Sequence, residues 1–84
     1  MRVNIKLFAS LHEVLGKREL YLELAEGATV GDLREALKRS YPVLKDHVTT
    51  MVCAVNAEYV PSSYRLGEGD EVALIPPVSG GANV

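Results

Sequence analysis

The chain has 84 residues, a formal net charge of −2 and a sequence pI near 5.6. That length is one domain burying only about 60% of its unfolded surface, too little to build a self-contained enzyme pocket, and the acidic balance argues against nucleic acid as a partner. The single cysteine, Cys53, excludes an internal disulfide and suits a reducing compartment, while no apolar run approaches the roughly 20 residues of a membrane span, so the expected location is cytoplasmic with no membrane partner.

Met1 leads straight into an alternating pattern, without the basic and apolar regions of a leader. Val3, Ile5 and Leu7 take one side of the segment Arg2 to Phe8, and Arg2, Asn4 and Lys6 the other. Period two predicts a strand with one buried face. Ser10 with Glu13 three residues later fits a capping box, Leu11, Val14 and Leu15 follow at helical spacing, and Gly16 stops this short helix. Glu19 to Leu24 alternates again, with Leu20, Leu22 and Leu24 inward. If these two strands pair, Arg2 and Lys6 come near Glu19 and Glu23.

Gly27 marks a turn, and Thr29-Val30-Gly31-Asp32 opens the main helix with a second capping signature. Its stripe is Val30, Leu33, Ala36 and Leu37; Arg34, Glu35, Lys38 and Arg39 are expected in water, and Pro42 ends it. Val43 to Thr50 reads as a loop with a partial turn. Met51 to Val55 is a continuous apolar run, as in a strand covered on both sides or at a sheet centre. Asn56-Ala57-Glu58 turns into a short Tyr59-Val60 strand closed by Pro61. Gly67-Glu68-Gly69-Asp70 is a further turn, and Glu71 to Ile75 is the last strand. The order β, short α, β, long α, β, short β, β predicts an α+β domain over residues 1–75. One main helix and a short one pack on a mixed sheet of about five strands, the β-grasp or ubiquitin-like arrangement. A last strand lying centrally beside the first would give the chain's end a rigid base.

Residues 76–84 read as an extended tail. Pro76 and Pro77 hold φ near the polyproline value, Val78 and Ser79 continue the rod, and Gly80 and Gly81 strip it to bare backbone that can thread a narrow slot. Three residues follow, Ala82-Asn83-Val84.

These stretches carry a resemblance. Leu7-Phe8-Ala9-Ser10-Leu11 with Glu13 and Gly16, Val55 to Val60, and above all Leu66 to Gly81 with its Pro-Pro-Val-Ser-Gly-Gly ending are similar to the MoaD family, the sulfur carriers that serve as small subunits of molybdopterin synthase. The proline pair sets this pattern apart from the thiamine-pathway carrier ThiS, which shares the fold and the Gly-Gly end. The resemblance implies a carrier rather than a free-standing catalyst, with no bound cofactor. A ubiquitin-activating-type adenylating enzyme would use ATP to activate the Gly81 carboxylate, and sulfur would then convert it to a thiocarboxylate. Pro76, Pro77, Val78, Ser79 and Gly80 would insert into a MoaE-like large subunit, where the sulfur passes to a cyclic pyranopterin to build a dithiolene. An amide carbonyl cannot be activated as a free carboxylate can, so Ala82-Asn83-Val84 implies a precursor trimmed by a processing protease. The rivals are a piece of a larger fusion, residues added artificially, or a paralogue that kept only docking. A second reading from another class is a ubiquitin-like modifier or docking module without sulfur chemistry.

Other residues are weighed more plainly. Phe8 falls out of phase with Val3, Ile5 and Leu7 and is a candidate docking residue, together with Leu66 or Ile75. Cys53 reads as a buried thiol, not a sulfur relay. His12 and His47 lack the spacing of a metal site, so no metal is expected. Lys38, Arg39 and Lys45 read as solvated, Glu13 as a capping residue, and Arg65 as lying near the base of the tail, within reach of Asp70.

Overall fold

A computed structural model describes residues 1–76. Its elements are β1 (Arg2–Leu7), α1 (Ala9–Leu15), β2 (Glu19–Glu23), α2 (Val30–Ser40), a 3₁₀ turn (Pro42–Leu44), α3 (Lys45–Thr50), β3 (Val52–Val55), β4 (Glu58–Tyr59) and β5 (Glu71–Ile75). The strands form one sheet in the order β2-β1-β5-β3-β4, with β5 parallel to β1 and antiparallel to β3. The last strand is therefore central and lies beside the first, as the β-grasp arrangement implies.

One face of this sheet is dry. Val3, Ile5, Leu7, Leu20, Cys53, Val55, Val72 and Leu74 point from it into a cluster with Val30, Leu33 and Leu37 of α2. The α2 stripe closes on this face as its 3.6-residue spacing requires. The capping box at Thr29 forms in both directions: Asp32 N donates to Thr29 Oγ1 at 3.2 Å, and Thr29 N donates to Asp32 Oδ2 at 2.9 Å. Gly16 ends α1 in the left-handed conformation, φ 69°.

Four expectations are corrected. Helix α1 starts at Ala9 with Phe8 in the cap position and no side-chain cap, so Ser10 and Glu13 make no capping box and the first strand stops at Leu7. Residues 42–50 are helical rather than a loop, because Leu44 and Val48, one helical turn apart, are both fully buried against α2. Arg34 is not solvated: its Nη1 donates to Val48 O at 2.7 Å and ties α2 to α3. The short strand is Glu58–Tyr59, one residue earlier than the pattern suggests.

The β3–β4 hairpin turns on Asn56 and Ala57, at φ 51° and 73°. Two consecutive left-handed residues make the turn that matches strand twist, and the second normally falls to glycine. A Cβ in that region costs about 1–2 kcal/mol per residue. Ala57→Gly is therefore expected to stabilise the domain by about 0.5–1 kcal/mol once glycine's own entropy is deducted. The check is a urea midpoint that rises with unchanged slope.

Candidate functional site

The site is built where β5 ends. Leu74 faces Leu7 of β1, and Ile75 faces Val52 of β3, so the strand is held on both sides as far as Leu74 and by β3 alone at Ile75. Pro76 follows, half-buried, and has no N–H with which to continue pairing. Pairing through that nitrogen therefore stops there. Phe8 stands at the same end, 47% exposed, just past the last residue of β1. Beside it the strand-to-helix strain is local to one residue: Ala9 takes φ 51° at the first position of α1.

The sheet face away from the helices is open. Register places Ala73 between Lys6 and Ala54, Ile75 beside Val52, and Tyr59 beyond Ala54. Ala54 and Ala73 keep the middle of this face shallow, while Val52 (36% exposed) and Tyr59 (71%) stand out from it. A trough of about 720 Å³ runs over Ala73 to Phe8, Ala9, His12 and Arg18. Its wall carries a small ion network: Lys6 Nζ lies 3.3 Å from Glu19 Oε1 and 3.6 Å from Glu71 Oε2. The hydrogen bond to Glu19, followed by that carboxylate's charge, holds the Lys6 ammonium above its usual 10.5. The neighbouring cross-strand pair behaves differently. Arg2 faces Glu23 in register, yet its guanidinium stacks over the Tyr21 ring at 4.6 Å.

Of the residues expected to form the site, Pro76 and Phe8 are brought to one end of the sheet. Pro77, Val78, Ser79, Gly80, Gly81 and the extension Ala82-Asn83-Val84 lie outside the described residues. Leu66 is buried and takes no part in an exposed patch; Ile75, on the open face, is the partner of Phe8 that remains. Arg65 is at the other end of the molecule, bridged to Thr29, and Asp70 instead accepts from Gly67 N at 2.7 Å and Asn56 Nδ2 at 3.1 Å. The open-face residues Val52, Ala54, Tyr59 and Ala73 were missed. The alternation of Val52 and Ala54 against Cys53 and Val55 was their signal, hidden because all four are apolar.

No group of three metal-ligating side chains occurs among the described residues. Cys53 is 2% exposed, and burial pushes its thiol above the usual 9.0 despite the nearby positive charge of Arg34. The neutral thiol favours folding below 9.0, and this contribution declines as pH rises above 9.0 towards the raised native value. Cys53→Ala is expected to lose less stability than the parent chain across that interval, measured as the shift in urea midpoint. The native thiol should also resist iodoacetamide until denaturant is added.

A five-stranded mixed sheet with a main helix on one face, an open opposite face and a central last strand defines a ubiquitin-like β-grasp protein. The family model described as the ThiS family matches residues 5–81, and the chain belongs to that family. Two curated relatives named molybdopterin synthase sulfur carrier subunit, from Chlamydomonas reinhardtii and Mycobacterium tuberculosis, are each 41% identical over 83 residues, covering 96% of this chain and 100% and 99% of theirs. The crystal structure of small archaeal modifier protein 1 from Haloferax volcanii matches with a TM-score of 0.84 at 34% identity, covering 92% of this chain and 98% of that one. No helix among the described residues is long and apolar enough to cross a membrane.

Proposed function

We propose that this chain is the sulfur carrier subunit of a molybdopterin synthase, delivering sulfur as a thiocarboxylate on Gly81. The observation that carries the reading is the 41% identity, over nearly the whole chain, to two relatives of that name. The geometry supports it: the strand that leads into the Gly-Gly stretch is central and held on both sides, beside an exposed Phe8 and an open face with Val52 and Ile75. That surface is the natural contact for a large subunit and for an adenylating enzyme.

In the chemistry proposed, the Gly81 carboxylate attacks ATP, pyrophosphate leaves, and the acyl adenylate forms. A sulfur donor then displaces AMP, leaving C–S in place of C–O. The resulting thiocarboxylate is a soft nucleophile that needs no side chain of its own. Its sulfur attacks an electrophilic pyranopterin carbon and displaces that carbon's oxygen substituent, and water then hydrolyses the thioester, returning the Gly81 carboxylate and leaving a thiol on the pterin. Stiff prolines before the glycines reduce the ordering cost of inserting the tail into a partner. Removal of Ala82-Asn83-Val84 by a protease precedes all of this.

A second reading, a protein modifier joined through Gly81 to a lysine amine, is favoured by the likeness to the Haloferax protein called a modifier. One experiment separates them. The chain ending at Gly81 and the chain ending at Val84 are each incubated with an adenylating enzyme, ATP and a sulfur donor, and intact masses are recorded. Exchange of one oxygen for sulfur on the Gly81 form alone supports the carrier; an isopeptide product without exchange supports the modifier. Equal exchange on both forms overturns the need for trimming.

A further inference from the structure

Strand β2 has a neighbour on one side only. Its ladder with β1 says which backbone groups point away from the sheet. Met1 N donates to Leu24 O at 2.6 Å, Leu24 N to Met1 O at 2.7 Å, and Leu7 N to Arg18 O at 2.8 Å. In the alternation of an antiparallel pair, Leu20 and Leu22 therefore bond to β1, while Glu19, Tyr21 and Glu23 direct N–H and C=O outward. Among the described residues nothing takes up those outward groups. The opposite edge, β4, is only two residues long. Among the described residues the long free edge is β2.

Behind that edge, between the end of β2 and α2, lies a groove of about 520 Å³. Leu24 and Ala36 line it, and its rim carries Glu23, Glu26, Asp32 and Glu35 against one cation, Arg39. Asp32 is held by Thr29, Glu35 by Lys38, and Glu26, though 87% exposed, lies 3.8 Å from the Met1 ammonium, whereas Glu23 makes no ion pair among the described residues. The edge itself presents Glu19 and Glu23 on either side of Tyr21, with Glu19 shared with Lys6 Nζ at 3.3 Å.

We propose that the outer edge of β2, with the acidic groove beside it, docks an extended basic segment of a partner protein that adds to the sheet as a further strand. Strand addition obtains affinity from main-chain hydrogen bonds and selectivity from alternate side chains. Here the positions opposite Glu19 and Glu23 take lysine or arginine, and the position opposite Tyr21 takes a β-branched or aromatic residue. The alternating positions face α2 and take small apolar side chains that cover Leu22 and Leu24, both only partly buried against the core. A second copy does not fit. Antiparallel pairing about Tyr21 sets Glu19 against Glu23 twice, and parallel pairing sets each glutamate against itself, the like-charge device by which edges resist self-association. Because β1 separates β2 from β5, such docking leaves the end of β5 and the open face beside Val52 free. A partner can thus hold this chain while its far end is used elsewhere. This docking does not rest on the sulfur-carrier reading.

The test is an NMR titration of the isotope-labelled full chain with a capped peptide Lys-Val-Thr-Val-Lys. An acidic counterpart, Glu-Val-Thr-Val-Glu, and the basic peptide N-methylated at the nitrogens facing β2 serve as controls. Expected are amide shifts at Glu19, Tyr21 and Glu23 and along the groove-lining side of α2, with slowed exchange at the Tyr21 and Glu23 amides. Binding should weaken about tenfold or more on N-methylation, and similarly for the double variant E19K/E23K with core amide positions unchanged. The N-methyl arm leaves the protein untouched, so a folding defect in the variant does not decide the outcome. Equal binding of the acidic peptide, shifts confined to Val52, Ala73 and Ile75, or no edge shift at millimolar peptide would overturn the proposal. Edge shifts that depend on protein concentration without peptide would also overturn it, by assigning the edge to a second copy.

Discussion

Leu74→Ala is expected to lower the unfolding free energy by about 2–5 kcal/mol. Leu74 is fully buried and sits in the strand that both halves of the sheet pair with, facing Leu7 on one side and Cys53 on the other. Truncation there removes the transfer energy of the lost methyl groups and leaves a cavity that two ladders prevent from closing. A domain of 84 residues has roughly 4–13 kcal/mol in all, so the loss is a large share of it. Ile75→Ala, one residue later on the open face and only half-buried, should cost clearly less. Urea unfolding measures both: the Leu74→Ala midpoint falls well below that of Ile75→Ala with an unchanged slope. Equal costs would mean that β5 is covered alike on its two faces, contrary to the architecture described.

Gly81→Ala is expected to do the reverse, sparing stability and abolishing use. Position 81 lies outside the described residues, and a glycine has no side chain whose packing could be lost, so the urea midpoint should not move. Sulfur transfer should fall about 100-fold or more, the usual penalty when a reacting atom is displaced by about 1 Å. A methyl group on the last carbon before the carboxylate widens a backbone that has to enter another protein's slot, and it restricts the φ values open to glycine. The measurement is the rate of thiocarboxylate formation and of sulfur loss to acceptor, by intact mass, in chains ending at position 81. An unchanged rate would count against a threaded tail. A lowered midpoint would mean that the tail is part of the folded body.

Much of this was legible before any coordinates. Alternation located β1 and β2 within a residue or two, because a one-residue slip turns every apolar side chain to water. The Thr29–Asp32 box and Gly16 marked helix ends through bonds made within four residues of chain, which depend on nothing distant. The Ser10–Glu13 pattern has the same spelling and failed. The chain enters α1 directly from β1, and the left-handed Ala9 places the helix start one residue before the serine.

The misses share a cause. Helix α3 has six residues, too few to stand on propensity; it exists because Leu44 and Val48 are covered and Arg34 reaches across to its Val48 carbonyl. That Ile75 rather than Leu66 is left partly exposed depends on which face of which strand is bare, and Leu66 is the same apolar letter whether exposed or buried. By itself the sequence determined the elements whose periodicity is carried within one turn or one strand, and the Pro-Pro-Val-Ser-Gly-Gly ending. Tertiary structure alone decided which apolar residues stay uncovered, which short segments become helical, and which sheet edge is left without a partner, since each follows from contacts between segments far apart along the chain.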